Sequence, residues 1–149
     1  KNLRELQLGK SLDILLSSLK KEQNRLSKFH GYKPIFIKIS PDNNTDDLLK
    51  IFESITDNKI DGLICSNTTS EHNYKNGRGG LSGAPLFNKS TEILKLARDS
   101  LGKEFPIIAS GGVMNKDNYE EKLNAGASLV QIYTGFIYEG PALIKHILK

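Results

Sequence analysis

The 149 residues are 38% hydrophobic and 26% charged, enough for one buried core under a soluble, polar surface. The formal net charge of +4 comes from lysines mixed among acids, with no basic stripe interleaved with aromatics and no tryptophan, which argues against a nucleic-acid partner. A single cysteine, Cys65, excludes an internal disulfide and fits a reducing compartment, and no apolar run approaches the ~20 residues that span a bilayer.

The chain opens on Lys1 without a signal-peptide pattern and reads as a portion of something longer. Leu3, Leu6 and Leu8 lead into a predicted helix over residues 10–29, where Leu12, Leu15, Leu16, Leu19, Leu26 and Phe29 form one apolar stripe. Gly31 and Pro34 stop it, and Ile35 to Ile39 reads as a strand interrupted by Lys38 just before Ser40-Pro41. Asn44 or Thr45 caps the next helix, with Asp46 and Asp47 at its positive end and Leu48, Ile51, Phe52 and Ile55 inward. Asp61-Gly62 feeds a strand, Leu63-Ile-Cys-Ser66, that stops at Asn67-Thr68-Thr69.

From Ser70 to Gly83 the pattern gives way to a polar, glycine-rich stretch, and a loop this long in an α/β chain is more often functional than not. A helix over residues 89–101 follows, with Ile93, Leu94, Ala97 and Leu101 inward. Then come a strand in Pro106-Ile-Ile-Ala-Ser-Gly-Gly112, a helix over residues 117–124 with Tyr119 and Leu123 on one face, and a strand in Leu129-Val-Gln-Ile-Tyr-Thr-Gly135. A last helix starts at Pro141. Strict alternation implies a parallel sheet, and four strands make either an open sheet or half a barrel. Continuous apolar runs imply that both faces of these strands are covered.

In a parallel barrel the chemistry sits where the strands end. Here those ends offer Lys38 and Ser40, then Ser66-Asn67-Thr68, then Ser110-Gly111-Gly112, then Tyr133-Thr134-Gly135. Two glycine turns, each followed by a helix, form a phosphate cup. Amides, hydroxyls and one inward cation suit a flat heteroaromatic ligand with a phosphate tail. Each piece has a plainer reading: Lys38 as a core ion-pair partner, Asn67-Thr68-Thr69 as a turn cap, the glycines as ordinary tight turns. Their agreement at four strand ends favours a site. Cys65 reads as a small buried hydrophobe, and His30, His72 and His146 as surface residues without metal-ligand spacing. No residue has the setting of a general base.

Seven motifs in order resemble the dihydroorotate dehydrogenase family: Asn2-Leu-Arg-Glu-Leu-Gln7, Ile37-Lys-Ile-Ser-Pro-Asp42, Asp61-Gly-Leu-Ile-Cys-Ser-Asn-Thr-Thr69, Gly79-Gly-Leu-Ser-Gly-Ala-Pro-Leu86, Lys89-Ser-Thr-Glu92, Pro106 to Gly112, and Ala125 to Gly135. The first favours the class 2, membrane-associated, quinone-reducing branch. The resemblance implies that residues 1–149 are the C-terminal half, strands five to eight, of one FMN-binding (β/α)₈ (TIM) barrel whose N-terminal half is absent from this chain. It implies oxidation of dihydroorotate to orotate on FMN, with quinone as acceptor, in pyrimidine (UMP) biosynthesis.

Carried over by position, Lys38, Ser66 (where the family usually has Thr), Gly83, Gly111, Gly112, Tyr133 and Thr134 would contact FMN, Lys38 at the flavin's pyrimidine edge and Tyr133 and Thr134 at its phosphate. Asn67 and Thr68 would bind dihydroorotate or orotate, and residues 72–78 would form a short lid. The base, other substrate contacts and the quinone site would lie upstream, on the missing half, so that this segment alone would be inactive. Peripheral attachment to the cytoplasmic side of the cell membrane is implied for the whole protein, with no metal. The alternatives are another FMN or phosphate-binding barrel enzyme and a non-catalytic half-barrel module.

Overall fold

A computed structural model describes residues 8–73 and 79–149. The chain divides into two compact units, one formed by residues up to Ile37 together with Asn43–Gly62, the other by Lys38–Asp42 and Leu63–Lys149. The Asn2 to Gln7 motif lies outside the described residues.

In the first unit, helix α1 (Gly9–His30) packs on α2 (Thr45–Asp57). Asn44 caps α2, accepting the Asp47 N–H at 2.9 Å, and Leu48, Ile51, Phe52 and Ile55 are buried, as their spacing predicts. The stripe expected on α1 is narrower than predicted. Leu12 and Leu16 are buried, but Leu15, Leu19 and Leu26 keep about 40% of their surface and Phe29 keeps 74%. The reason is polar. The inward row continues from Leu16 through Lys20 and Gln23, which reach Asp61 at 3.4 and 2.8 Å, and Gln23 also donates to the Lys33 carbonyl at 2.7 Å. Asp61 further accepts the Ile35 N–H and the Tyr32 hydroxyl. Burial alone would raise the Asp61 pKa, but these hydrogen bonds and the Lys20 charge hold it below the usual carboxylate range.

Four strands, β1 (Phe36–Ile39), β2 (Gly62–Cys65), β3 (Ile107–Ser110) and β4 (Leu129–Gln131), form one sheet in chain order. β2 pairs with β3 and β3 with β4 in parallel, with Leu63 beside Ile107, Cys65 beside Ala109, Ile108 beside Leu129, and Ser110 beside Gln131. Within the second unit, side chains alternate between two unlike faces. Ile39, Leu63, Cys65, Ile107 and Ala109 are buried. The other face carries Lys38, the half-buried Ile64, Ile108 and Ser110, and the exposed Leu129 and Gln131. The expected covering of both faces therefore holds, in this chain, for one.

A single 3-10 turn (Ala84–Leu86) precedes α3 (Phe87–Leu101); α4 is Lys116–Asn124, α5 Thr134–Glu139 and α6 Pro141–Ile147. The expected inward set on α3 is buried except for Leu101, which is half-buried. α5 has no counterpart in the sequence-based reading, because six residues are too few for a periodic signal and Gly140 separates them from the expected helix at Pro141. On α4 the expected pair is displaced: Tyr119 is half-buried, Leu123 is 38% exposed, and Lys122 is the fully buried residue. Val113, Leu143 and Ile147 form a core cluster that Tyr119, Val130 and Ile132 complete.

Leu94 of α3 is fully buried. Leu94→Ala is expected to lower the unfolding free energy by about 2–5 kcal/mol, and Leu94→Met by under about 1.5 kcal/mol, both read from urea denaturation midpoints.

Candidate active site

Lys38 of β1 and the segments that follow β2, β3 and β4 open onto one cavity of about 200 Å³. Lys38, Ser66, Asn67, Thr68, Gly83, Gly111, Gly112, Tyr133 and Thr134 all line it, as does Ser110 from the expected strand ends, joined by Ser82 and Gln131, which the sequence reading had not singled out. Parallel strands deliver their C-terminal ends to one side, and this is the outcome.

Local hydrogen bonds fix each turn. Ser66 donates its N–H to the Ser110 carbonyl at 2.8 Å, and Asn67 donates its own to Ile39 at 2.8 Å, so the turn after β2 is tied to both neighbouring strands. The Cys65–Ser66 peptide is cis. The Asn67 side-chain oxygen accepts the Thr68 N–H at 2.9 Å, so half of the plainer turn-capping reading holds and the amide nitrogen is the part left for a ligand. Lys38 is exposed on the open face, and no ion pair or hydrogen bond engages it among the described residues. Ser82 and Thr134 share a hydroxyl contact of 2.9 Å, joining the turn before α3 to the start of α5.

The third turn requires glycine. Gly111 and Gly112 have φ of +121° and +79°, and a Cβ on Gly112 would lie 2.6 Å from the Phe87 nitrogen, against backbone that cannot give way. The helix ends expected to complete the phosphate cup are less direct. α4 starts four residues beyond Gly112, and its cap Asn115 already accepts the Asn118 N–H at 2.9 Å. α5 spans six residues, too short for a substantial dipole. Tyr133 keeps 78% of its surface, so its ring stands outside the enclosed part of the cavity.

Around this cavity lies a polar clasp that sequence reasoning missed. Asp42 accepts the Thr69 hydroxyl, the Ser70 N–H at 2.8 Å, the Ser70 hydroxyl at 2.6 Å and the Lys89 ammonium at 3.1 Å. Partial burial pushes the Asp42 pKa up, but the Ser70, Thr69 and Lys89 hydrogen bonds outweigh it and hold the carboxyl far below its ordinary range. Thr69 also exchanges backbone hydrogen bonds of 3.1 and 2.7 Å with Leu81, closing the base of the loop. His72, expected on the surface, is half-buried, with a ring nitrogen 2.8 Å from the Gly79 carbonyl; residues 74–78 of the expected lid lie outside the described residues. The only signal for the clasp was Asp42 standing after Ser40-Pro41.

Cys65 is buried, as expected, and burial pushes its thiol up to about 12. Burial likewise draws the Lys122 ammonium down to about 8. Among the described residues neither a histidine nor a carboxylate lines the cavity. Among the described residues no cluster suits a metal ion, and no helix is long and apolar enough to cross a membrane. A second, more open hollow sits beside Arg98, whose guanidinium is engaged by the carbonyls of Gly102, Lys103, Phe105 and Gly126.

A model of the family described as Dihydroorotate dehydrogenase matches residues 1–149. The chain belongs to the dihydroorotate dehydrogenase family. It is 46% identical over 154 residues to the dihydroorotate dehydrogenase (quinone) of Vibrio parahaemolyticus, covering 99% of this chain and 46% of that protein. The corresponding protein of Photobacterium profundum is 47% identical over 153 residues, covering 98% and 46%. These names agree with the quinone branch that the first motif favours. Among solved structures, the crystal structure of DHODH in complex with ferulenol from Eimeria tenella superposes with a TM-score of 0.90 at 28% identity, covering 99% of this chain and 45% of that one. Ligand-free DHODH from the same organism gives 0.87 at 30% identity, covering 99% and 46%. The architecture is half of a (β/α)₈ barrel, four parallel strands alternating with helices, and the chain spans about half the length of the relatives it matches.

Asp42 gives a pH-dependent prediction. Its native pKa is depressed, so its contribution is complete above the unfolded value of about 3.9 and is lost as pH falls through the native value. Asp42→Asn should destabilise the family member carrying this sequence by about 1–3 kcal/mol at pH 7. The gap from the parent should narrow below about pH 4, as read from urea midpoints across pH.

Proposed function

We propose that this chain supplies the phosphate end and part of the ring and substrate contacts of the FMN site in a quinone-reducing dihydroorotate dehydrogenase. That enzyme oxidises dihydroorotate to orotate in pyrimidine (UMP) biosynthesis. The observation that carries the reading is the convergence of all nine motif-derived residues on one cavity. Residues 1–149 are then the C-terminal half of a single barrel domain. A volume of about 200 Å³ is below the ~300–1,000 Å³ typical of ligand pockets, which supports a site whose remaining walls come from the other half.

The residues present suit FMN. At one end a turn of two glycines lines the cavity and packs so close to α3 that a side chain at Gly112 would strike backbone; a turn kept bare in this way suits the close approach of a phosphate. At the other, Lys38 carries a charge that no described residue neutralises. Bound there, FMN would supply the two-electron acceptor for hydride from the substrate. Lys38 sets a fixed positive charge at the pyrimidine edge, where reduced flavin holds negative charge. Ser66 offers its hydroxyl region beside it. Asn67, its amide oxygen occupied by Thr68, presents NH₂ to the polar groups of the substrate ring, with the Thr68 hydroxyl next to it. Gly83, Gly111, Gly112, Tyr133 and Thr134 line the phosphate side. Among the described residues no histidine or carboxylate lines the cavity, and on this reading the proton leaving the substrate goes to a group outside this chain. Quinone, and peripheral attachment to the cytoplasmic face of the membrane, belong to the same missing region.

In the complete protein, Lys38→Ala is expected to lower the flavin potential and slow dihydroorotate oxidation, because reduced flavin loses its counter-charge. Redox titration against dyes of known potential checks this, and an unmoved potential would contradict the role. Residues 1–149 alone should give no flavin-dependent dye reduction; turnover equal to the intact enzyme would overturn the half-site reading.

A further inference from the structure

Lys122 is the one charged side chain of the second unit that is wholly buried among the described residues. Its ammonium donates to the Ser90 and Thr91 hydroxyls, both at 2.7 Å, leans on the Phe87 carbonyl at 3.4 Å, and sits 4.8 Å from the centre of the Phe87 ring. No carboxylate pairs with it. Ser90, having accepted from the ammonium, has its single proton for the carbonyls of Phe87 or Gly111, each at 3.0 Å. Phe87 is also the residue whose backbone fills the side-chain position of Gly112, and Ser90, with Leu86, closes the side-chain position of Gly111 at 3.0 Å. One buried cation thus grips the first turn of α3, and that turn abuts the glycine pair on the cavity wall.

We propose that Lys122 is a positioning residue for the phosphate-binding turn: its buried ammonium, acting through Ser90 and Phe87, fixes the Gly111–Gly112 backbone in the form that receives the phosphate of FMN. The inference rests on the FMN reading above. It assigns to α4, whose capped N-terminus is occupied by Asn115, an indirect part in holding the anion. A buried charge without an ionic partner is costly wherever neutral oxygens are its only company. Here those oxygens belong to the segment that the glycine turn rests on, so withdrawing the ammonium would loosen the turn and not merely the packing of α4.

The test uses the complete holoprotein and two variants, Lys122→Met, which keeps length and removes the charge, and Ser90→Ala, which cuts the link to Gly111. Two signals are read on each: the ³¹P resonance of bound FMN and the visible band of its isoalloxazine ring, with FMN release timed by fluorescence on dilution. Both variants are expected to release FMN faster, at least tenfold for Lys122→Met. The phosphorus resonance should move while the visible band stays in place. A phosphorus resonance and release rate equal to the parent's in Ser90→Ala, or a visible band that shifts in step with the phosphorus signal, would overturn the proposal. If Lys122→Met does not fold, Ser90→Ala alone decides. A parent protein without flavin would overturn this inference together with the function proposed above, whereas a flavin-loaded parent with unmoved variants would overturn this inference only.

Discussion

Parallel pairing is the constraint on which the rest depends. Because β2, β3 and β4 run in one direction, with Leu63 beside Ile107 and Ile108 beside Leu129, each strand releases its chain on the same side of the sheet. The alternation of side chains then divides the labour. Ile39, Leu63, Cys65, Ile107 and Ala109 meet helices and hold the second unit together. The opposite row, beginning at Lys38, is free to carry charge and hydroxyls. A one-residue slip in any strand would exchange the two rows, placing a lysine in the apolar layer and a leucine on the cavity wall. Stability and site geometry are therefore enforced by the same register.

The parts of the fold legible in the sequence are those with a local physical cause. Asn44 before Asp46-Asp47 specifies a helix start whatever surrounds it, and the apolar spacing of α2 suffices to name its buried side. The strand ending in Ser-Gly-Gly announces a turn, because side chains are excluded there, whereas the turn expected at Tyr-Thr-Gly is the start of helix α5. What stayed hidden depends on partners distant in sequence. Nothing near Lys122 distinguishes it from the exposed lysines of the chain; its burial follows from Ser90 and Thr91, more than thirty residues earlier. Lys20 and Gln23 take the inward row of α1 from the leucines only because Asp61, far along the chain, stands opposite. Asp42 shows the same limit: its place after Ser40-Pro41 does not announce its partners, and it accepts from Thr69, Ser70 and Lys89.

The polar contacts at the cavity margin share a pattern. They tie the loops beyond the strand ends to one another, and the Thr134 hydroxyl and the Asn67 side-chain oxygen are among the groups they engage. Asp42 holds Thr69 and Ser70 and leaves Asn67 and Thr68 facing the cavity. Ser82 meets Thr134 and thereby sets Gly83 beside the start of α5, where a Cβ on Gly83 would come 3.0 Å from the Thr134 methyl. Loops built this way are rigid at their bases even where their middles are long, which suits a site that must hold a planar ring at fixed distances from charge.

The character of the oxygens around Lys122 bears on why a lysine stands there at all. A carboxylate would satisfy the ammonium more strongly, and a methionine would fill the space without the cost of burying a charge. Either would serve helix packing better. A carboxylate, however, would place a negative charge beneath a turn that is proposed to accept a phosphate dianion, and would cancel the positive field on its near side. A methionine would leave Ser90 and Thr91 with their hydroxyls turned wholly to Phe87 and Gly111, without a donor to fix their orientation. Hydroxyl and carbonyl oxygens, with the Phe87 ring, solvate the ammonium, orient it and leave its charge uncancelled. Of these three arrangements, only that one both locks the α3 turn and favours an anion above it, and it does so where helix dipoles are short or already capped.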